Sequence, residues 1–210
     1  MFASRAIILA TGPSVSAKQL DWVTEKRREG WSVFGVNNVY QCMPWLTDLV
    51  AYNRNWWEHY WPEDHLLRNG LFRKWTFHED LALKWGLDYI EDRGQPPNGL
   101  STDPSYIYRG HSSSYMAMGV AYNAGHRNFY LLGFDMSYGK GYDSRKRRAG
   151  ETPRHYFGEY PAAMQHWPQS FDGLIRQFED INEEELGIKV YNLTPGTALH
   201  HFEESTINDH

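Results

Sequence analysis

The stretch Ala6-Ile7-Ile8-Leu9-Ala10-Thr11-Gly12-Pro13-Ser14 begins as an unbroken apolar run and ends in a turn. Short continuous apolar runs are typical of strands that are buried on both faces, as in a parallel sheet. Gly12 and Pro13 break the run, and Ser14 or Ser16 can cap a helix over 17–29. This stretch therefore predicts a strand, a short loop and a helix, the repeating unit of an α/β domain.

The same alternation of apolar runs and helical patterns continues along the chain. It predicts an α/β fold with a doubly wound, mostly parallel sheet and helices on both faces. Residues 93–105, rich in Pro, Gly, Asn and Ser, predict a long loop or lid. Further strands are predicted at 31–36, 45–52, 129–133 and 189–192, and one or two more within 72–90 together with a short helix. Helices are predicted from residue 56, over 112–124 and 167–186, and as a short last helix within 193–202.

Composition limits the compartment and the class of partner. The 210 residues suit one domain, and 41% hydrophobic and 22% charged residues are ordinary for a globular chain. The formal charge of −5 argues against a strong non-specific nucleic-acid binder. A single cysteine, Cys42, excludes an intramolecular disulfide and a cysteine-based metal cluster. Because the sequence shows no signal-like leader and no apolar run of about 18 residues, we expect a cytoplasmic protein without a membrane span.

Polar residues directly follow several predicted strands. Ligands of open α/β sheets bind beyond the carboxyl ends of the strands, where these residues stand. Taken singly, the first loop is equally well a phosphate cradle or a capped turn, and each Asn is better explained as a turn residue. Because all of these residues follow strands at one edge of the sheet, together they predict a ligand site. The candidate residues are Thr11, Gly12, Pro13, Ser14, Asn37, Asn53, Asp135 and the turn Thr194-Pro195-Gly196.

A second group of candidates lies at the start of the predicted helix over 112–124. Ser112, Ser113 and Ser114 can bind a phosphate or carboxylate there, with Arg109 adding positive charge, although serines also simply cap helices. The basic run at 145–148 suits phosphates, but a solvated loop is the commoner explanation.

General bases are available further along the chain. His155, Glu159 and His166 carry side chains that commonly take up a proton in catalysis. No pair of these residues has a clear metal-binding spacing, so we expect no metal site.

The order of these motifs resembles the bacterial sialyltransferases of glycosyltransferase family 42, and with them related uncharacterised phage proteins and the MptE-like group. In those sialyltransferases successive strands end in Asn-Gly-Pro-Ser, Arg-Cys-Asn and Tyr-Asn. The corresponding stretches here are Thr11-Gly12-Pro13-Ser14, Gly35-Val36-Asn37 and Ala51-Tyr52-Asn53.

The resemblance extends over nearly the whole chain. The family's Arg, Ser and Tyr-Met at a helix start match Arg109, Ser112 and Tyr115-Met116, and its Gly-Ile-Asp matches Gly133-Phe134-Asp135. Its His-Tyr-Ile-Gly-His matches the stretch from His155 to Glu159, and its Cys-Pro-Asn-Ser-Leu resembles the stretch from Thr194 to Leu199. Each motif is short, and their common order makes the set specific.

The resemblance implies a single Rossmann-like domain over 1–210, with a mobile lid over roughly 137–160, a CMP-activated sugar donor and no metal. It also implies that Ser14, Asn37, Asn53 and Ser112 hold the nucleotide. Tyr138 and Tyr142 are then the nearest candidates for the lid tyrosines that stabilise the departing phosphate, and Tyr156 is a further active-site tyrosine. Family relatives often assemble as tetramers, which implies a homo-oligomer.

Two positions depart from the family pattern. Glu159 stands where the family has its general-base His, so the base here is Glu159 or His155, and Thr11 replaces the family's Asn. The predicted activity is transfer of a sugar from a CMP-linked nucleotide to a hydroxyl acceptor, with Arg109 and the tyrosines offsetting the charge on the leaving phosphate. The acceptor is a glycan, a lipid-linked sugar or modified DNA.

Two alternatives stay open from the sequence. One is an MptE-like pyrophosphokinase that uses ATP and magnesium, with Asp135 as the well-placed carboxylate. The other is a non-catalytic nucleotide-binding protein of a phage, located in the host cytoplasm.

Overall fold

The computed structural model describes residues 4–94, 99–137, 155–156, 160–161 and 171–210. Within these ranges the strands form an eight-stranded sheet and a separate two-stranded ribbon, and every strand pairing is parallel. The predicted α/β class is therefore confirmed. The strands are β1 (Arg5–Leu9), β2 (Ser32–Val36), β3 (Asp48–Val50), β4 (Arg73–Thr76), β5 (Asp88–Tyr89), β6 (Glu91–Arg93), β7 (Tyr106–Tyr108), β8 (Asn128–Leu132), β9 (Lys189–Asn192) and β10 (Glu203–Glu204).

Helices occupy the connections between strands. The first of them begins at a capping box in which Ser16 and Gln19 bind each other's backbone N–H groups, so the cap is Ser16 and not Ser14. Within the described ranges no helix is both long and apolar enough to cross a membrane. The helices are α1 (Ala17–Arg28), α2 (Val39–Cys42), α3 (Arg54–Tyr60), α4 (His65–Asn69), α5 (Glu79–Trp85), α6 (Ser113–Asn123), α7 (Asp172–Glu179), α8 (Glu183–Leu186) and a 3₁₀ turn, Ile207–Asp209.

The order of strands in the large sheet is β10-β9-β8-β1-β2-β3-β4-β5. The chain runs outward from β1 to β5 and then returns to place β8 on the other side of β1. The strand order therefore reverses between β1 and β8. This reversal of direction is where an open parallel sheet binds its ligands.

Helix α6 lies between the large sheet and the β6–β7 ribbon. Its residues from Ser113 to Tyr122 are all buried, and such burial on every side is typical of a helix enclosed in a core. A Cβ built on Gly119 would lie 3.3 Å from the Ile107 side chain of β7. Gly119 therefore lets the ribbon pack closely against α6.

Two predicted helices are wrong. The predicted single helix over 167–186 divides into α7 and α8, because Ile181 enters the core and Asn182 caps a new helix by accepting from the N–H of Glu185. Its first residues, 167–170, lie outside the described residues. The last helix within 193–202 is absent, since Thr194 and Thr197 bond to the backbone of Phe134 and draw this segment into an irregular loop.

His126 makes the stability of the fold depend on pH. It is 9% exposed, contacts the Ser4 hydroxyl through Nδ1, and packs edge-on against Phe34. Burial lowers the pKa of this imidazole, and the nearby Asp48 charge only partly offsets that effect. The unfolded chain therefore binds the proton more tightly, so stability from this group is complete above the ordinary imidazole pKa and is lost as the pH falls through the lowered one.

We expect the free energy of unfolding, measured with urea, to be lower at about pH 5 than at about pH 7.5. Carboxylates also contribute to this difference, so the comparison is with the His126→Gln variant, in which the difference should shrink. An equal pH dependence in the two proteins would contradict this role of His126.

Candidate functional site

A cavity of about 600 Å³ opens beyond the carboxyl ends of β1, β2 and β8, at the point where the strand order reverses. This volume lies in the range of about 300–1,000 Å³ that is usual for small-molecule sites. Most of the residues predicted to form a ligand site meet here. Of these, the cavity is lined by Thr11, Gly12, Pro13, Asn37, Asn53, Arg109, Ser112, Ser113, Asp135 and His155.

The loop after β1 lies against the loop after β8. The N–H of Gly12 donates to the carbonyl of Gly133 over 3.0 Å. A Cβ on Gly12 would lie 1.9 Å from Asp135 Oδ2 and 2.4 Å from the Gly133 oxygen. Only a glycine permits this approach, so residue 12 sets the width of the crevice.

Ser14 and Asp135 brace the two loops against each other. The backbone N–H of Ser14 donates to Asp135 Oδ1 over 3.1 Å, and its hydroxyl donates to Oδ2 over 2.9 Å. Burial raises the pKa of the Asp135 carboxyl, and the hydrogen bonds from Ser14 oppose that effect. Both polar groups of Ser14 are thus engaged by Asp135, and Ser14 stands behind the cavity wall instead of lining it.

Asn37, at the end of β2, has a left-handed backbone with φ of 49°, which Asn tolerates better than most residues. Its side-chain oxygen accepts a hydrogen bond from the Ser113 hydroxyl over 3.2 Å. That hydroxyl also accepts from the N–H of Tyr52, at the end of β3, over 3.2 Å. Ser113 therefore holds the ends of two strands to the start of α6.

The N-terminus of α6 faces the cavity. Ser112 caps the helix by accepting from the N–H of Tyr115 over 3.2 Å. The preceding residue, His111, is held by the buried Gln177, whose oxygen accepts from its N–H over 2.7 Å. The first-turn N–H groups of Ser113 and Ser114 have no intrahelical partner, and both residues line the cavity. This end of α6 can therefore receive a negative charge.

Arg109 is the one arginine or lysine among the described residues of the cavity lining. Its Nε forms an ion pair with Asp92 of β6 over 2.5 Å, and this contact raises the pKa of the guanidinium. The pair holds the side chain at the rim. Because the contact to Asp92 runs through Nε, the two terminal nitrogens of the guanidinium can turn toward a ligand.

Asn53 occupies the cap position of α3 without making a capping hydrogen bond from its side chain. Its side chain is exposed at the cavity wall. An amide carries both donors and an acceptor, so this position can read the edge of a base.

His155 lies against Thr11, on the loop after β1. Its Nδ1 is 3.0 Å from the Thr11 hydroxyl and 3.3 Å from the Thr11 carbonyl. A carbonyl only accepts and a hydroxyl can do either, so a proton on Nδ1 is compatible with both contacts. In the neutral ring Nε2 then carries the lone pair, which is the tautomer a general base needs.

The two described tyrosines of this region differ in position. Tyr160 lines the cavity, and burial raises the pKa of its phenol while a hydrogen bond involving Asn37 opposes that effect. Tyr156, the tyrosine matched by resemblance, packs against the core beside the cavity and donates its N–H to the Thr11 carbonyl over 3.3 Å. Tyr138, Tyr142, Glu159, His166 and the basic run 145–148 lie outside the described residues, as does most of the predicted lid.

Sequence reasoning missed several residues of the cavity wall. Tyr52 precedes α3 and Trp56 lies in its first turn. His111 precedes the serines, and Phe171 and Leu174 come from the start of α7. His111 lies between two predicted site residues, so its position was a usable signal. Phe171 and Leu174 had none, because nothing local indicates that α7 reaches this edge of the sheet.

Metal-ligating side chains are not clustered in the part of the chain that the structure describes. No group of three or more His, Cys, Asp or Glu residues there could hold a metal ion. Asp135 is the one carboxylate among the described lining residues. Among the described residues, the polar groups of the wall are thus hydroxyls, amides, imidazoles, one guanidinium and the carboxylate of Asp135.

The cavity itself is the main reason to regard this region as a candidate functional site. Its position at the strand reversal and the first-turn N–H groups of α6 in its wall are features of a small-molecule site. Comparison of the chain with protein-family models, with curated proteins and with solved structures finds no match.

Proposed function

We propose that this protein is a nucleotide-sugar-dependent glycosyltransferase that uses a CMP-linked donor and transfers the sugar to a hydroxyl acceptor. The observation that carries the proposal is a cavity of about 600 Å³ that joins the N-terminus of α6 to the imidazole of His155, whose Nδ1 contacts Thr11. The first feature suits a nucleotide phosphate, and the second suits activation of a hydroxyl group.

The phosphate of the donor is assigned to the N-terminus of α6. There the N–H groups of Ser113 and Ser114 and the positive end of the helix dipole favour a negative charge. Arg109, at the rim of the same cavity, adds a charged donor. In this proposal the phosphate lies at α6, and the loop after β1 is a structural wall.

The base of the nucleotide is assigned to Asn53. Cytosine offers an N–H donor beside a ring-nitrogen acceptor, and one amide group can pair with both. The Asn53 side chain makes no cap bond to α3 that such pairing would break. Tyr52, half-buried on the same wall, supplies apolar surface for the ring.

In the proposed reaction His155 acts as the general base. The acceptor oxygen attacks the anomeric carbon and forms the new glycosidic bond, while the bond from that carbon to the phosphate oxygen breaks. The hydroxyl proton passes to Nε2 of His155, and CMP leaves with the electron pair of the broken bond. Donors at the N-terminus of α6 stabilise the charge that develops on the phosphate.

A magnesium-dependent pyrophosphokinase has less support. Such chemistry needs carboxylate oxygens that face the ligand. Among the described lining residues Asp135 is the one carboxylate, and both its oxygens accept hydrogen bonds from Ser14. Release of AMP from ATP that depends on magnesium would favour that activity over glycosyl transfer.

Calorimetric titration with CMP, UMP, GMP and AMP tests the proposal. We expect CMP to bind with the highest affinity and with a one-to-one stoichiometry. Turnover is then measured as release of CMP from CMP-N-acetylneuraminic acid. The proposal fails if none of the four nucleotides binds at millimolar concentration, and the choice of donor fails if another nucleotide binds more tightly than CMP.

Replacing Asn53 with Ala should weaken CMP binding by about tenfold, because a hydrogen bond in a binding site contributes on the order of 1 kcal/mol. Asn55→Ala is the matched control, since Asn55 is exposed on the same helix and is not among the lining residues. Equal CMP affinity of the two variants, measured by calorimetry, would exclude Asn53 from the base site.

A further inference from the structure

The turn that carries Asn53 is fixed through the backbone of Tyr52. Both backbone polar groups of Tyr52 bond to side chains from other elements. Its N–H donates to the Ser113 hydroxyl over 3.2 Å. Its carbonyl accepts from Nε2 of His78 over 2.9 Å. The peptide group that joins Tyr52 to Asn53 is therefore held between the start of α6 and the segment that follows β4.

His78 reaches this carbonyl because β3 and β4 are parallel neighbours that end at the same edge of the sheet. The register pairs Val50 with Trp75, so Tyr52 and Phe77 come level just beyond the two strands. The rings of Tyr52 and Phe77 lie 5.9 Å apart, and those of Tyr52 and His78 lie 6.3 Å apart. This packing keeps the half-buried imidazole beside the Tyr52 carbonyl.

The side chain of His78 acts as a hydrogen-bond donor to the turn. A carbonyl oxygen only accepts, so Nε2 carries a proton in this contact. That donor is present whether or not the ring takes up a second proton at Nδ1. His78 also occupies the cap position of α5, where Ser, Thr, Asn and Asp are preferred, yet its side chain makes no capping bond there. The bond to Tyr52, and not the start of α5, therefore accounts for this imidazole.

The backbone held in this way sets the direction of the Asn53 side chain. The carbonyl of Asn53 accepts from the N–H of Trp56 over 3.1 Å, so the next peptide group is fixed as well. The Asn53 side chain makes no capping bond of its own and lies at the cavity wall. Recognition by a hydrogen-bonding side chain needs its polar atoms within about 0.5 Å of the right position. Rotation of the Tyr52–Asn53 peptide would move the amide further than that.

We infer that His78 is a positioning residue for recognition of the nucleobase: its bond to the Tyr52 carbonyl fixes the turn from which Asn53 pairs with cytosine. This inference rests on the proposed function, because it concerns the nucleobase end of the same site. His78 is not among the described lining residues, so it acts through Asn53 and does not touch the nucleotide.

The test titrates the full-length protein with CMP, UMP and ribose 5-phosphate, which carries the phosphate without a nucleobase. His78→Phe keeps a ring beside Tyr52 and removes the donor. We expect its CMP affinity, measured by calorimetry, to fall about tenfold, and its preference for CMP over UMP to shrink by about the same factor, because the displaced amide no longer pairs with cytosine. Affinity for ribose 5-phosphate should stay unchanged, because the phosphate is assigned to α6.

Two further variants separate the position of Asn53 from the stability of the fold. His78→Gln keeps an N–H donor that can reach the Tyr52 carbonyl, so it should retain most of the CMP affinity. His201→Phe is the matched control. His201 also places its Nε2 3.0 Å from a backbone carbonyl, that of Ile181, and it is not among the described lining residues. This control should bind all three ligands as the wild type does.

The inference fails if His78→Phe keeps the wild-type preference for CMP over UMP, or if His78→Gln loses as much CMP affinity as His78→Phe. It also fails if ribose 5-phosphate affinity falls equally in His78→Phe, or if His201→Phe shows the same loss of CMP affinity. In either case His78 would act only through the stability of the fold.

A wild-type protein that binds no CMP removes the proposed function instead, and NMR then decides on His78 separately. The backbone N–H of Asn53 belongs to the same peptide group as the Tyr52 carbonyl, so loss of the bond from His78 should shift the Asn53 amide resonance. A shift in His78→Phe that is absent from His201→Phe supports the positioning role. An unshifted resonance in His78→Phe overturns it.

Discussion

Gly12→Ala should lose the nucleotide site and part of the stability of the fold. The new Cβ would lie 1.9 Å from Asp135 Oδ2 and 2.4 Å from the Gly133 oxygen, so the two loops must separate. Separation breaks the hydrogen bonds from Ser14 to Asp135 and shifts the cavity wall. We expect CMP affinity to fall more than about tenfold and the free energy of unfolding to fall by about 1–3 kcal/mol, as in other overpacked sites.

The control for this variant is Gly173→Ala. Gly173 has nothing within 4 Å of its built Cβ, so the same change there meets no steric conflict. Calorimetry with CMP and urea unfolding are compared for the two variants. Wild-type CMP affinity together with an unchanged unfolding midpoint in Gly12→Ala would show that the contact between the loops is not needed.

His155→Gln should lower the rate of sugar transfer by about 10²–10⁴-fold, which is the usual contribution of a general base. The amide can keep a hydrogen bond to Thr11 but cannot take up a proton. CMP affinity should stay within about threefold of the wild type, because the phosphate and base are assigned to α6 and Asn53. The measurement is release of CMP from CMP-N-acetylneuraminic acid, with calorimetric titration of CMP in parallel.

A companion variant separates the chemistry of His155 from its position. Thr11→Val removes the hydroxyl 3.0 Å from Nδ1 and leaves the backbone carbonyl, 3.3 Å away, as an acceptor. We expect an intermediate loss of rate in Thr11→Val and a larger one in His155→Gln. If His155→Gln keeps the wild-type rate of sugar transfer, another residue must be the general base. Glu159 would then be the next residue to replace.

Much of the fold was predictable because the local sequence composition identifies several of its strands. The apolar runs that became β1, β2 and β8 are buried in the sheet, so their composition alone marks them. The short strands β6 and β10 carry mostly charged residues, which gives no strand pattern. The split between α7 and α8 was missed because Ile181 fits a helical pattern until the core competes for it.

The sequence predicted which residues lie together at the candidate site, but not which of them contact each other. In a parallel sheet, residues that follow strands share one edge, so Asn37, Asn53 and Asp135 were expected to meet. The pairing of Ser14 with Asp135 depends on how closely the loops after β1 and β8 approach. That distance is set by Gly12, and no spacing in the sequence reports it.

The sequence by itself determined the alternation of strands and helices, the edge at which polar residues collect, and the position of the first loop, because these follow from local composition and strand direction. The tertiary structure determined which polar groups at that edge are hydrogen-bonded to each other and which face the cavity. It turned Ser14 toward Asp135, set the N-terminus of α6 at the cavity, and brought His155 to Thr11 across 144 positions of chain. Two polar groups form a hydrogen bond only when folding brings them close together. These groups become neighbours only after β8 has paired with β1.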